Sequence, residues 1–126
     1  MAKHVLLAED EPNIIESLRF LLGRAGFEVS VCQDGLSALN TAMDQSPDVL
    51  VLDVMLPELD GLEVLRRLRA DDRGSTLPVL MLTAKGQRED REHAMQAGAD
   101  LFITKPFANA ELVAAVRSLA EGRPTP

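Results

Sequence analysis

Residues 49–61 read VLVLDVMLPELDG. Val49 to Leu52 are apolar at every position, so the run offers no solvated face and suits a strand covered on both sides. Asp53 follows at once. A carboxylate held inside such a layer would be costly, so the acid belongs where the strand emerges from the sheet.

The same reading extends outward in both directions. VLLA at 5–8, PVLML at 78–82 and LFIT at 101–104 are further short apolar runs, while EVSVC at 28–32 alternates as an edge strand does. Between these runs Ile14, Ile15, Leu18, Leu21, Leu22 and Ala25 recur at helical spacing, then Leu36, Leu39 and Met43, then Leu62, Leu65 and Leu68. Gly26 and Gly74 are the stops expected after the first and third helices. A fourth helix is expected over residues 86–97, anchored by Ala94 and Met95, and a fifth on Leu112, Val113, Val116 and Leu119. The fourth carries the fewest apolar anchors and should be the least firmly held. Arg69, on the third helix, reads as an ordinary surface residue.

Strand and helix thus alternate from end to end, which implies an α/β doubly wound parallel sheet with right-handed crossovers and helices on both faces. Residues 1–121 form one domain on this reading, with 122–126 a frayed tail. Ligands of such sheets bind at the carboxyl ends of the strands where the strand order reverses, which in the order 2-1-3-4-5 lies between strands 1 and 3.

Composition narrows the function classes. The chain has 126 residues, 46% hydrophobic and 26% charged, as an ordinary globular domain does. Twenty acidic against 13 basic residues give a net charge of -7, which opposes direct contact with nucleic acid. The apolar run after Met1 is too short for a signal peptide or a membrane helix, so a cytoplasmic protein without membrane contact is expected. Cys32 is the single cysteine, and its apolar neighbours mark it as a small buried hydrophobe in a reducing compartment.

The crevice is where the chemistry collects. Strand 1 ends in AEDE, bringing Glu9, Asp10 and Glu11, and strand 3 ends in Asp53. Clustered carboxylates repel one another, so they either retain a proton or hold a cation. Oxygen donors alone favour a hard ion, magnesium (or manganese), and no Cys/His cluster offers a zinc site. Thr83 after strand 4 and Lys105 after strand 5 converge on the same edge. His4 and His93 read as surface residues.

The acidic pair Glu9 and Asp10, Asp53 in LDVMLPELDG, Thr83 in LTA and Lys105 in KPF together resemble the receiver domain of two-component response regulators, over the whole chain. The resemblance implies a flavodoxin-like (βα)5 fold. It also implies phosphoryl transfer from a sensor histidine kinase, or a histidine phosphotransfer protein, onto Asp53. Such a domain is not a conventional enzyme but a phosphoacceptor that catalyses its own phosphotransfer and slow autodephosphorylation. By family similarity Glu9, Asp10, Asp53 and the backbone carbonyl of Met55 hold the metal, and Lys105 and Thr83 contact the phosphoryl group. Thr83 and Phe102 form the switch, while Met55, Ala84 and Lys85 control access and lifetime. The Lys105–Pro106 peptide is expected to be cis. Glu9 departs from the Asp common at its position, and Phe102 from the common Tyr.

Output is expected through helix 4, strand 5 and helix 5. Arg91 and Glu111 match one charge pair of the transcription-factor subfamily's dimer, whereas Leu101 and Ala115 replace the other. Weak homodimerisation, and more so a heterologous protein partner, is the expectation. Two alternatives stay open: a constitutive interaction module that is not phosphorylated, and the receiver part of a longer DNA-binding transcriptional regulator. A D-x-D phosphatase and a Gly-rich nucleotide-binding module are disfavoured by EDEPN after strand 1.

Overall fold

The computed structural model describes residues 2–84 and 88–122. In chain order the elements are β1 (His4–Ala8), α1 (Pro12–Arg24), β2 (Glu28–Cys32), α2 (Gly35–Gln45), β3 (Val49–Asp53), α3 (Gly61–Ala70), β4 (Val79–Ala84), α4 (Arg88–Ala97), β5 (Leu101–Lys105) and α5 (Asn109–Ala120). The five strands pair in parallel in the order β2-β1-β3-β4-β5.

The continuous apolar runs are divided by the two-residue period of a strand. Val5, Leu7, Val49, Val51, Leu80 and Leu82 point to the face covered by Leu18 and Leu22 of α1 and Leu112 and Val116 of α5. Leu6, Ala8, Leu50, Leu52 and Met81 point to the other face, under Leu39 of α2, Leu65 and Leu68 of α3 and Ala94 of α4. Full burial of each of the valine, leucine and methionine side chains stabilises the fold by about 1.5–3 kcal/mol. The alternating strand β2 lies at an edge, as its pattern requires.

Several local expectations are corrected. β3, β4 and β5 run one or two residues further than their apolar runs, so Asp53 and Lys105 end strands and Thr83 sits inside one. The ladder is made by backbone groups and continues past the last apolar side chain; Val54 N–H still donates to Leu82 O at 2.9 Å. β4 begins at Val79 because Pro78 has no N–H to give. Gly26 follows the C-cap of α1 with φ +97°, as expected. Gly74 does not end α3: the C-cap is Asp71, and the glycine serves a close approach, since a Cβ there would lie 2.7 Å from Leu68 O.

The inward stripe of α2 is Ala38, Leu39 and Ala42, leaving Leu36 exposed. On α4, Ala94 is buried but Met95, a further 100° around the helix, is 47% exposed and no anchor. Residues 86 and 87 of the expected helix lie outside the described residues, as do residues 123–126 of the tail. Cys32 is half-buried, its Sγ 3.5 Å from Thr41 Oγ1. His4 is half-buried against Ser30 Oγ at 2.8 Å, while His93 is exposed.

Arg69 is no inert surface residue. Its guanidinium donates to the carbonyls of Gly74 (2.8 Å), Leu77 (2.7 Å) and Gly98 (2.9 and 3.0 Å), and to Asp100 Oδ2 at 3.1 Å. Asp100 Oδ2 also accepts from Val79 N–H. The side chain therefore ties the end of α3 to the turns that enter β4 and β5.

Candidate functional site

The site forms at the carboxyl end of the sheet, where β1 and β3 are neighbours and their helices leave on opposite faces. Register aligns Ala8 with Leu52, Asp53 with Leu82, and Ala84 with Lys105. Glu9, Asp53, Thr83 and Lys105 are thereby brought to one edge by backbone pairing alone.

Glu9 is buried. Its main-chain N–H continues the ladder to Cys32 O, and its Oε2 accepts from the N–H groups of Asp10 (3.0 Å) and Glu11 (3.2 Å). Those contacts organise the turn before α1, whose N-cap, Glu11, makes no side-chain cap and which opens with Pro12. Asp10 is exposed beside it. Asp53, only 3% exposed, has both oxygens engaged. Oδ1 accepts from Met55 N–H at 3.1 Å and Oδ2 from Lys105 Nζ at 2.8 Å. Lys105 Nζ also lies 2.9 Å from Glu9 Oε1. That contact is an ion pair in distance only, because Glu9 Oε1 is buried without a hydrogen-bond partner of acceptable geometry.

Burial, reinforced by the adjacent Asp53, pushes the Glu9 carboxyl up to about 7, with Lys105 opposing the rise. For Lys105 burial disfavours the charge, but the hydrogen bond to Asp53 and the close negative charge of Glu9 outweigh it and hold the ammonium above its ordinary range. The cation is thus fixed between two carboxylates.

One oxygen from each of Glu9, Asp10 and Asp53 can lie within 4.8 Å of the others. The donors are all carboxylate oxygens, and Glu9 Oε1 is a buried oxygen lacking a hydrogen bond. Both features fit a hard divalent cation. Thr83 is buried on β4, one strand from Asp53 and opposite Thr104 of β5. Met55, 71% exposed, stands at the mouth. The backbone of Ala84 ends β4, and Lys85 lies outside the described residues. The Lys105–Pro106 peptide is cis, as expected.

Phe102 lies across from Met81, half-buried against the cluster beneath α2, α3 and α4. Leu101, Phe102, Ile103, Glu111, Ala115 and Ser118 border a cleft of about 330 Å³ between β5 and α5. Leu101 and Ala115 are half-buried there, whereas Glu111 and, on α4, Arg91 are exposed.

Sequence reasoning missed two glycines that support the site. Gly61 N–H donates to Val54 O at 2.9 Å, and a Cβ at Gly61 would lie 2.2 Å from Asp53 O. Gly35 N–H donates to Pro57 O at 3.0 Å. The available signal was the pair of Asp-Gly steps, Asp34 with Gly35 and Asp60 with Gly61, each opening a helix behind an Asp N-cap.

Comparison with known proteins gives one consistent result. The family model for the response regulator receiver domain matches residues 5–117. The probable transcriptional regulatory protein TcrX of Mycobacterium tuberculosis is 46% identical over 91% of this chain and 48% of its own length. Response regulator MprA of Mycobacterium bovis is 44% identical over 94% of this chain and 51% of its own. The chain therefore spans about half the length of the curated relatives it matches. Among solved structures, a response regulator from Chloroflexus aurantiacus is 35% identical with a TM-score of 0.92, covering 96% of this chain and 99% of that one. The receiver domain of a sensor histidine kinase from Pseudomonas aeruginosa, with a magnesium ion coordinated in its active-site cleft, is 33% identical with a TM-score of 0.88 over 96% and 99% of the two chains.

Proposed function

This chain belongs to the response regulator receiver domain family, and on that premise we propose that Asp53 accepts a phosphoryl group from the phosphohistidine of a sensor histidine kinase or a histidine phosphotransfer protein. The observation that carries the assignment is the engagement of both Asp53 oxygens, one by Met55 N–H and one by Lys105 Nζ. A carboxylate held on both sides attacks along a fixed direction. Its oxygen forms the new bond to phosphorus as the phosphorus–nitrogen bond of the donor breaks and the imidazole leaves with the electron pair.

The chain's own residues divide the work. Lys105, kept charged by its two carboxylate neighbours, offsets the negative charge that gathers at the phosphoryl oxygens. The Thr83 hydroxyl is the hydrogen-bond partner of one of those oxygens on this reading, and Phe102 reports the change to the outer surface. Glu9, Asp10, Asp53 and the carbonyl of Met55 would hold magnesium or manganese. When bound, the ion supplies further neutralisation between acceptor and phosphoryl group. Met55 at the mouth, with Ala84 and Lys85, sets the approach of water and so the lifetime of the aspartyl phosphate.

The described residues contain no helix long and apolar enough to cross a membrane. We assign the domain to the cytoplasm, where histidine kinases present their phosphohistidine, and its output to protein contact through α4, β5 and α5. Arg91 and Glu111 leave half of a homodimer's charge code there. Leu101 and Ala115 replace the other half and favour a different protein partner. TcrX, named as a probable transcriptional regulatory protein, and MprA are each about twice this length, which supports a second reading of the chain as the receiver part of a longer DNA-binding regulator.

Incubation with magnesium and acetyl phosphate, or with a phosphorylated kinase, should place one alkali-labile phosphoryl group on Asp53. Asp53→Asn should accept none. Full labelling of Asp53→Asn, stable to alkali, would overturn the assignment.

A further inference from the structure

Asp53 is aimed in part by a loop. The segment from Val54 to Asp60 joins β3 to α3 and supplies the Met55 N–H that holds Asp53 Oδ1. It is pinned at its start, where Gly61 N–H donates to Val54 O and the bare Cα of Gly61 lies against the Asp53 carbonyl. It is pinned again at its crest, where Pro57 O accepts from both Gly35 N–H (3.0 Å) and Leu59 N–H (2.8 Å). Just past the crest Glu58 adopts φ +69°, a strained conformation for a residue with a side chain.

The second pin depends on glycine. A Cβ at position 35 would lie 1.6 Å from Leu59 O, 2.6 Å from Leu59 C and 2.9 Å from Leu59 Cβ. The obstacle is mainly backbone, so no rotamer change relieves it. Either α2 or the loop must move. α2 is fixed by Ala38, Leu39 and Ala42 in the core and by Asp34, which caps it through Ser37 N–H at 2.7 Å. The loop has only the side chains of Val54, Leu56 and Leu59 as apolar anchors beside its main-chain hydrogen bonds, and it already carries strain. It is the part that yields, and the Met55 amide moves with it.

We propose that Gly35, at the N-terminus of α2 and outside the acidic crevice, is a positioning residue for phosphoryl transfer. Its bare Cα lets the N-terminus of α2 seat the β3–α3 loop, and through the Met55 amide it fixes the direction of the Asp53 carboxylate. The inference rests on Asp53 as the phosphoacceptor.

The test compares wild type, Gly35→Ala, Pro57→Gly and Gly23→Ala, each with magnesium and saturating acetyl phosphate. Pro57→Gly loosens the crest without adding volume. Gly23→Ala is the control, because a Cβ there meets nothing within 4 Å. Three quantities are read: the urea midpoint, the position of the Met55 amide resonance, and the rate constant for labelling of the folded protein. A misplacement of the order of 1 Å at a reacting group costs up to about 100-fold in rate. Gly35→Ala and Pro57→Gly should displace the Met55 resonance and slow labelling by about 10-fold or more under conditions where both are folded, while Gly23→Ala labels as wild type does.

A structural role alone would lower the urea midpoint and leave the rate constant of the folded protein unchanged, and that result overturns the proposal. If Gly35→Ala does not fold, Pro57→Gly decides alone, and a wild-type rate there overturns it too. Wild type that takes no label removes the phosphoacceptor reading itself, and the proposal falls with it. That failure is distinct, because it shows in the wild-type sample rather than in the variants.

Discussion

Replacing Arg69 with alanine should be the most destabilising single change on the outer surface of α3. The guanidinium makes four hydrogen bonds to three main-chain carbonyls and a fifth to Asp100, with its side chain only 17% exposed. A hydrogen bond from a charged donor contributes about 1.5–3 kcal/mol. Three such carbonyls would sum to more than about 4 kcal/mol, but these turns lie near the surface and water reaches part of what alanine vacates. A loss of about 3 kcal/mol remains, or a drop of roughly 10 °C in Tm for a domain of this size. Urea unfolding followed by far-ultraviolet circular dichroism measures it directly, with an unchanged m-value confirming that only stability moved. Arg69→Lys keeps the charge but cannot fork across three acceptors and should recover less than half. Arg66→Ala breaks an exposed pair with Glu63 and should stay within about 0.5 kcal/mol. A cost below about 1 kcal/mol for Arg69→Ala, or full recovery by lysine, would refute the reasoning.

Glu9 makes the apo protein sensitive to pH. Its carboxyl rises from 4.5 to about 7 on folding, so the folded state binds the proton more tightly. The resulting stability is fully present below pH 4.5 and is lost as pH rises through 7. The difference amounts to up to about 3 kcal/mol. Unfolding in the presence of a chelator should show this fall between pH 5 and 8, Glu9→Gln should flatten it, and a flat wild-type profile would remove the buried-acid account. Gly61→Ala should cost about 2–3 kcal/mol by overpacking, because its Cβ meets the Asp53 carbonyl, and a neutral effect in the same urea assay would contradict the contact. Met55→Asn should change the decay rate of the aspartyl phosphate severalfold while moving stability by less than about 0.5 kcal/mol, since the side chain is 71% exposed. Identical decay would dissociate Met55 from phosphoryl lifetime.

The sheet was legible because its signal is local. Runs such as VLVL are apolar at every position, the pattern of a strand covered on both faces, and their shortness between helical repeats sets them apart from buried helices. The crevice was legible for a related reason: Asp53 and Lys105 are polar residues at the ends of apolar strands, and parallel registration carries them to one edge without knowledge of any loop. Boundaries were less legible, because backbone pairing outlasts the side-chain pattern: the apolar run stops at Leu82, yet β4 continues through Thr83 to Ala84. The stripe of α2 was misread at Leu36 for the opposite reason, since small residues at Gly35, Ala38 and Ala42 face inward where the larger leucine was expected to.

What escaped the sequence acts over distance and leaves little side-chain pattern. Arg69 binds carbonyl oxygens of Gly74, Leu77 and Gly98, and every residue has a carbonyl, so the acceptors have no compositional signature. Gly35 acts by having no side chain where Leu59 passes, and an absence on one helix says nothing about which backbone fills it. The two kinds of residue should therefore fail differently when replaced. Loss of a crevice residue removes a charge or an acceptor and leaves the fold in place, because the ladder that presents it is built from main-chain groups. Loss of a supporting residue leaves every reacting group present but wrongly held, so its effect should appear in the rate of the folded protein or in stability rather than in the identity of the residue that is labelled.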